Sequence, residues 1–110
     1  MLEKIDEINQ FDNLVKTKNK FFLLKHSITC PVSQAAYQEY QKFADDHKDI
    51  PTYFLTVQDS RPLSNEIADK YQIKHESPQA ILFSNTEAVW HASHWKIKNQ
   101  SLASAFSDNE

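Results

Sequence analysis

Apolar positions along the chain fall into segments of clear period. Ile8, Phe11 and Val15 recur at helical spacing behind Asp6, a residue type that caps helices, and predict a first helix running to about Thr17. The residues before Asp6 leave room for a short edge strand. Phe21 to Leu24 is a continuously apolar run of strand length, as expected where a strand is covered on both faces. The period then changes. Val32, Ala36, Tyr40, Phe43 and His47 share one helical face, with Gln34, Gln38, Glu39, Gln41 and Asp45 between them, and this helix should end near His47 to Asp49, ahead of Pro51. Thr52 to Val57 is rich in β-branched and aromatic residues and reads as a second core strand.

Leu63, Ile67 and Tyr71 mark a third helix entered through Ser60-Arg61-Pro62, and Gln72 stands where a glycine would commonly end it. His75 to Pro78 interrupts the pattern before Gln79 to Phe83, a third strand; a proline at a strand start is tolerated in either isomer. Asn85-Thr86 fits a tight turn, after which Glu87 to His94 alternates and returns antiparallel as a fourth strand. Leu102, Ala105 and Phe106 form the inner face of a closing helix, with Ser107 to Glu110 expected to fray.

Two strands joined by one helix make a βαβ unit, whose crossover is right-handed and whose ligand sites gather at the carboxyl ends of the strands. Cys30 lies at that end. Pro31 is favoured at the first helical position, which makes Cys30 the N-cap. An N-cap side chain faces the free N–H groups of the residues two and three places on, here Val32 and Ser33, and the positive end of the helix dipole favours an anion there. Free cysteine titrates near ~8.5, and helix N-termini are among the settings that lower this to roughly 3.5–7.5. The competing reading is a buried structural thiol.

Composition narrows the field. A chain of 110 residues, 40% hydrophobic and 25% charged, fits one soluble domain spanning 1–110. A net charge of −3, a pI near 5.9 and the lack of a basic stripe argue against a nucleic-acid surface. No apolar run approaches membrane-spanning length and the start M-L-E-K-I-D-E lacks a signal-peptide pattern, so a cytoplasmic location is expected, with no membrane partner. A single cysteine excludes an internal disulfide and leaves the thiol available for chemistry with another molecule. The chain has no glycine, which removes Gly-rich phosphate loops and dinucleotide-binding turns, and turns that need positive φ fall to Asn, Asp or similar residues.

The order helix, strand, thiol, helix, strand, helix, proline, hairpin, helix resembles the thioredoxin fold, with Cys30 at the active-site position and Pro78 at the cis-proline position. The implied class is α/β: a mixed sheet of four strands, or five with the edge strand, flanked by helices on both faces. Three segments carry the resemblance further. H-S-I-T-C-P-V-S-Q-A-A around Thr29-Cys30-Pro31-Val32-Ser33, H-E-S-P-Q at His75 to Gln79, and W-H-A-S-H at Trp90 to His94 together are similar to the monothiol bacilliredoxins, over nearly the whole chain.

The resemblance implies a thiol–disulfide oxidoreductase. Its Cys30 exchanges with mixed disulfides between client proteins and bacillithiol, a cysteine-glucosamine-malate thiol. No cofactor is bound, and bacillithiol serves as the exchange thiol. With Pro31 opening the helix, the N–H groups of Val32 and Ser33 would stabilise the thiolate, the Ser33 hydroxyl being a further candidate, while Thr29, Ser77 and Pro78 would bind the substrate. Ser33 stands where two-cysteine relatives keep a resolving thiol, so bacillithiol or another external reductant must complete the cycle.

Other chemistries fare less well. His91 and His94 lie three apart, an odd spacing that on a strand sends side chains to opposite faces, so no metal site is expected from them. His75 precedes Pro78 and could approach Cys30. Lys25, Arg61 and the histidines could meet the malate carboxylates, though such residues are more often solvated charges. Trp90 is expected in the core. The rival class is a non-catalytic interaction domain with an inert or only protectively modified Cys30.

Overall fold

The structure, a computed structural model, describes residues 2–109. In chain order the elements are β1 (Leu2–Lys4), α1 (Ile8–Thr17), β2 (Lys20–His26), α2 (Pro31–Asp46), β3 (Thr52–Thr56), α3 (Arg61–Tyr71), β4 (Gln79–Ser84), β5 (Glu87–Ser93), a 3₁₀ turn (His94–Lys96) and α4 (Asn99–Asp108). The sheet order is β1-β3-β2-β4-β5, with β3 parallel to both β1 and β2, and with β4 antiparallel to β2 and β5. This is the mixed sheet expected, and the short segment before Asp6 supplies its fifth, edge strand.

β2 sits at the centre and is buried from Phe21 to His26. Alternation along it sorts the core into two layers. Phe21 and Leu23 join Phe11, Leu14, Leu55, Leu63, Ile67, Ile81 and Phe83 on the face covered by α1 and α3. Phe22 and Leu24 join Ala36, Tyr40, Phe43, Leu82 and Leu102 under α2 and α4. In the first layer Phe21 stacks on Phe83 at 5.0 Å between centroids, and Phe11 meets Phe83 edge-on at 5.2 Å. In the second, Tyr40 donates its hydroxyl to the Tyr53 carbonyl at 2.8 Å, which satisfies a fully buried phenol. Trp90 is half-buried against Phe22.

Several boundaries differ from the sequence pattern for local reasons. The cap of α1 is Glu7 rather than Asp6, because the Gln10 carboxamide oxygen accepts from the N–H groups of both Asp6 and Glu7, at 2.8 and 3.0 Å. Asp6 instead accepts from the Ser60 hydroxyl at 3.2 Å. β2 extends past its apolar run through Lys25 and His26. At the other end α4 continues through Ser107 and Asp108, where fraying was expected, and the Asn109 amide donates to the Ala105 carbonyl at 2.8 Å; Glu110 lies outside the described residues.

The missing glycines are replaced as foreseen. Gln72 ends α3 at φ 54°, and Asn85 and Thr86 make the β4–β5 turn at φ 50° and 70°.

Candidate active site

β2 delivers the chain to the carboxyl edge of the sheet, where Ser27 to Thr29 form a short loop and Cys30 opens α2. Cys30 is extended, at φ −108° and ψ 122°, with Pro31 at the first helical position, so it is the N-cap. The first intrahelical bond runs from the Gln34 N–H to the Cys30 carbonyl at 3.0 Å. The Val32 and Ser33 amides precede that ladder and belong to the orphan donors of the helix start. The thiol is free, half-buried, and makes no capping bond.

Ser33 is turned differently from the sequence expectation. It is fully buried, and its hydroxyl oxygen accepts from the Ser27 N–H at 2.8 Å and pairs with His26 Nδ1 at 2.9 Å. That side chain ties the loop to α2 and is not available to the sulfur; what Ser33 offers Cys30 is its backbone amide. His26 stacks on Tyr37 at 4.7 Å, and burial pushes its imidazole below the usual histidine range, so it is neutral at physiological pH. A neutral imidazole has one ring nitrogen free to accept, which lets Ser33 donate to Nδ1 while accepting from Ser27.

Gln58, just past β3, completes the loop and was not singled out by sequence. Its carboxamide oxygen accepts from the Ile28 N–H at 3.2 Å, and its amide donates to the hydroxyls of Ser27 at 2.9 Å and Thr29 at 3.4 Å. A glutamine in a polar turn carries no sequence signal for this. A Gln58→Ala variant should lose the Ile28 bond, worth about 1 kcal/mol, and so exchange the Ile28 amide hydrogen about fivefold faster; hydrogen-exchange NMR reads this directly.

The second wall is the segment leading into β4. Ser77–Pro78 is a cis peptide, Pro78 is buried, and its carbonyl accepts the His94 N–H at 3.1 Å where β5 ends. Because Lys25 is in register with Gln79 across the β2–β4 ladder, Ser77 and Pro78 lie at the same sheet edge as the Cys30 loop. The Ser77 hydroxyl oxygen is buried and has no hydrogen-bond partner among the described residues. Ile28 and Trp95 are exposed apolar side chains, one two residues before Cys30 in the chain and the other following His94.

Other sequence candidates are placed elsewhere. His75 turns to Lys25 and the Ser64 hydroxyl, at 3.3 and 3.2 Å from its Nδ1. Lys25 is fully buried rather than solvated. The alternation argument for His91 and His94 stops at Ser93, since His94 begins the 3₁₀ turn at φ 54°. Both act on one carboxylate: a hydrogen bond from Ser93, then the charges of His94, Lys74 and His91, hold Glu76 below the usual carboxylate range. Among the described residues no group of three or more acidic, histidine or cysteine side chains is placed to hold a metal ion, and no helix is long and apolar enough to cross a membrane.

A βαβ unit and an antiparallel hairpin, with a lone N-capping cysteine and a cis-proline at one sheet edge, define a monothiol redox protein of the thioredoxin fold. The sequence profile of the monothiol bacilliredoxin BrxC family matches residues 3–102, and the chain belongs to that family. One solved structure, described as a candidate oxidoreductase with a thioredoxin fold, is 44% identical at a TM-score of 0.90, over 96% of this chain and 93% of its own. Thioredoxins from Trypanosoma brucei brucei and Entamoeba histolytica share the fold at 13% and 15% identity, with TM-scores of 0.79 and 0.77. The matches cover 98% of this chain in both cases, and 89% and 99% of theirs.

Proposed function

We propose that this protein removes bacillithiol from mixed disulfides on client proteins, through Cys30, in the cytoplasm. The observation that carries the reading is the sole thiol of the chain standing at the N-cap of α2, ahead of the Val32 and Ser33 amides and at the sheet edge that also holds Ser77–Pro78. α2, 16 residues long, brings the positive end of its dipole to that position.

The Cys30 thiolate attacks the bacillithiol sulfur of the modified client. The client–bacillithiol S–S bond breaks, a Cys30–bacillithiol S–S bond forms, and the client sulfur leaves with the electron pair and takes a proton from water. No net oxidation occurs. The Ser77 backbone pairs with the incoming disulfide, and Thr29 and Pro78 border it. Ser33 cannot resolve the product, since it has no thiol and its hydroxyl is held by Ser27 and His26. An external thiol, bacillithiol itself or another reductant, therefore attacks the bacillithiol sulfur of the Cys30 adduct; a disulfide forms between that thiol and bacillithiol, the Cys30–bacillithiol S–S bond breaks and the Cys30 thiolate is released.

The test is mass spectrometry of the protein mixed with a bacillithiol-modified peptide. The peptide should appear as its free thiol while Cys30 gains one bacillithiol. An unmodified Cys30 beside an intact mixed disulfide would refute the reading.

A further inference from the structure

Lys25 has no role in the chemistry above, yet it occupies an unusual position. It is fully buried near the carboxyl end of β2, on the face that carries Phe21 and Leu23 toward α1 and α3. Among the described residues the ion pairs join Lys4 to Asp6 and Asp59, and none reaches Lys25. Its amine donates instead to two neutral partners, the Ser64 carbonyl at 3.0 Å and His75 Nδ1 at 3.3 Å. A buried cation without a carboxylate burdens the fold, and an apolar side chain of the same length would fill the place with less loss of solvation. Retention of such a residue calls for a local gain elsewhere.

That gain lies in what the amine holds. His75 stands two residues before Ser77. Burial, then the charges of Lys25 and Arg61, push its imidazole below the usual histidine range, and because a charged ammonium can only donate, its contact with Nδ1 assigns the neutral ring's proton to Nε2. The neighbour of Lys25 across the β2–β4 ladder is Gln79, whose amide donates to the Lys74 carbonyl at 3.0 Å. Where β5 ends, the loop from Lys74 to Gln79 is held by the Pro78–His94 and Ser93–Glu76 bonds; on the β2 side it is fastened by Gln79 through Lys74 and by Lys25, beside the Ser64 hydroxyl, through His75. Between the two fastenings on the β2 side lie Glu76, Ser77 and Pro78.

We propose that Lys25 is a positioning residue for the exchange reaction: it holds His75, and through His75 it fixes the Glu76–Pro78 segment where that segment pairs with an incoming disulfide. The proposal rests on the exchange reading of Cys30 given above.

The test compares wild type with Lys25→Met in the full chain, using a bacillithiol-modified peptide in steady-state assays and iodoacetamide alkylation of Cys30. Loss of the anchor should raise KM by about tenfold with kcat changed less than about twofold. The alkylation rate should be unchanged and the denaturation midpoint equal or higher. A merely structural lysine predicts the reverse, a lower midpoint and reduced kcat with KM intact, and that result overturns the proposal. His75→Leu should reproduce the KM rise. His75→Asn, whose carboxamide oxygen can accept from Lys25, should recover most of it, so the proposal stays testable should Lys25→Met not fold. If wild type moves no bacillithiol, the reading of Cys30 fails and the positioning role with it. If wild type does so and Lys25→Met has the same KM, only the positioning role fails.

Discussion

A Cys30→Ser variant is expected to release a bacillithiol-modified peptide at least about a thousandfold more slowly than wild type, the scale of loss when a nucleophile is removed outright. The fold should not suffer. Cys30 is half-buried and makes no capping bond of its own, whereas serine is among the preferred N-cap residues and its oxygen can accept from the Val32 or Ser33 amide. Stability should therefore hold or rise by up to about 1 kcal/mol. Peptide-thiol release and a urea midpoint, measured on the same preparation, separate the two effects. A loss below about tenfold would place the chemistry outside any thiol of this chain, because Cys30 is its only cysteine.

This outcome was legible in the sequence because a strand-length apolar run, a Cys-Pro step and a change to helical period are local signals. They fix Cys30 at a helix start without knowledge of any distant contact. The same holds for Asn85-Thr86 and Gln72, where the absence of glycine forces other residues into positive φ. What stayed hidden depends on contacts between segments far apart in the chain. Gln58 reaches the Cys30 loop across 30 residues, and Lys25 reaches Ser64 and His75 across 39 and 50. The N-cap position predicts the Ser33 amide as a partner for sulfur, and only its hydroxyl departs from that expectation. The helix rotates that side chain instead toward Ser27 and His26. Alternation placed His91 and His94 on opposite faces, and one left-handed residue where β5 ends cancelled the argument.

The stability of this fold should rise between about pH 8 and about pH 10 by an amount that a Lys25→Met variant does not show. Burial lowers the Lys25 amine from 10.5 to about 8. Below that lower value the amine is charged in both folded and unfolded chains, and the folded state bears the whole desolvation cost. As pH rises past it, the folded chain sheds its proton while the unfolded chain still binds one, so the free energy of unfolding increases until the unfolded amine also titrates. The full shift converts to about 1–3 kcal/mol after allowance for partial solvent screening. The groups facing Lys25 do not confuse the measurement: Ser64 and Gln79 do not titrate, and His75, already pushed low, is neutral throughout the range. Glu76, which acts on His75, is held below the usual carboxylate range and keeps its charge there. Burial raises Tyr40, Tyr53 and Tyr71 above 10.0, which erodes stability at still higher pH, but equally in both proteins, so it cancels in the difference. Urea unfolding of both proteins at pH values from about 7.5 to about 10 gives the curve directly. The variant should be at least as stable as wild type at the low end, with wild type gaining on it by about 1–2 kcal/mol toward the high end. Parallel curves would mean that the buried amine keeps its proton, and that hydrogen bonds to one carbonyl and one imidazole suffice to hold a full charge inside the sheet.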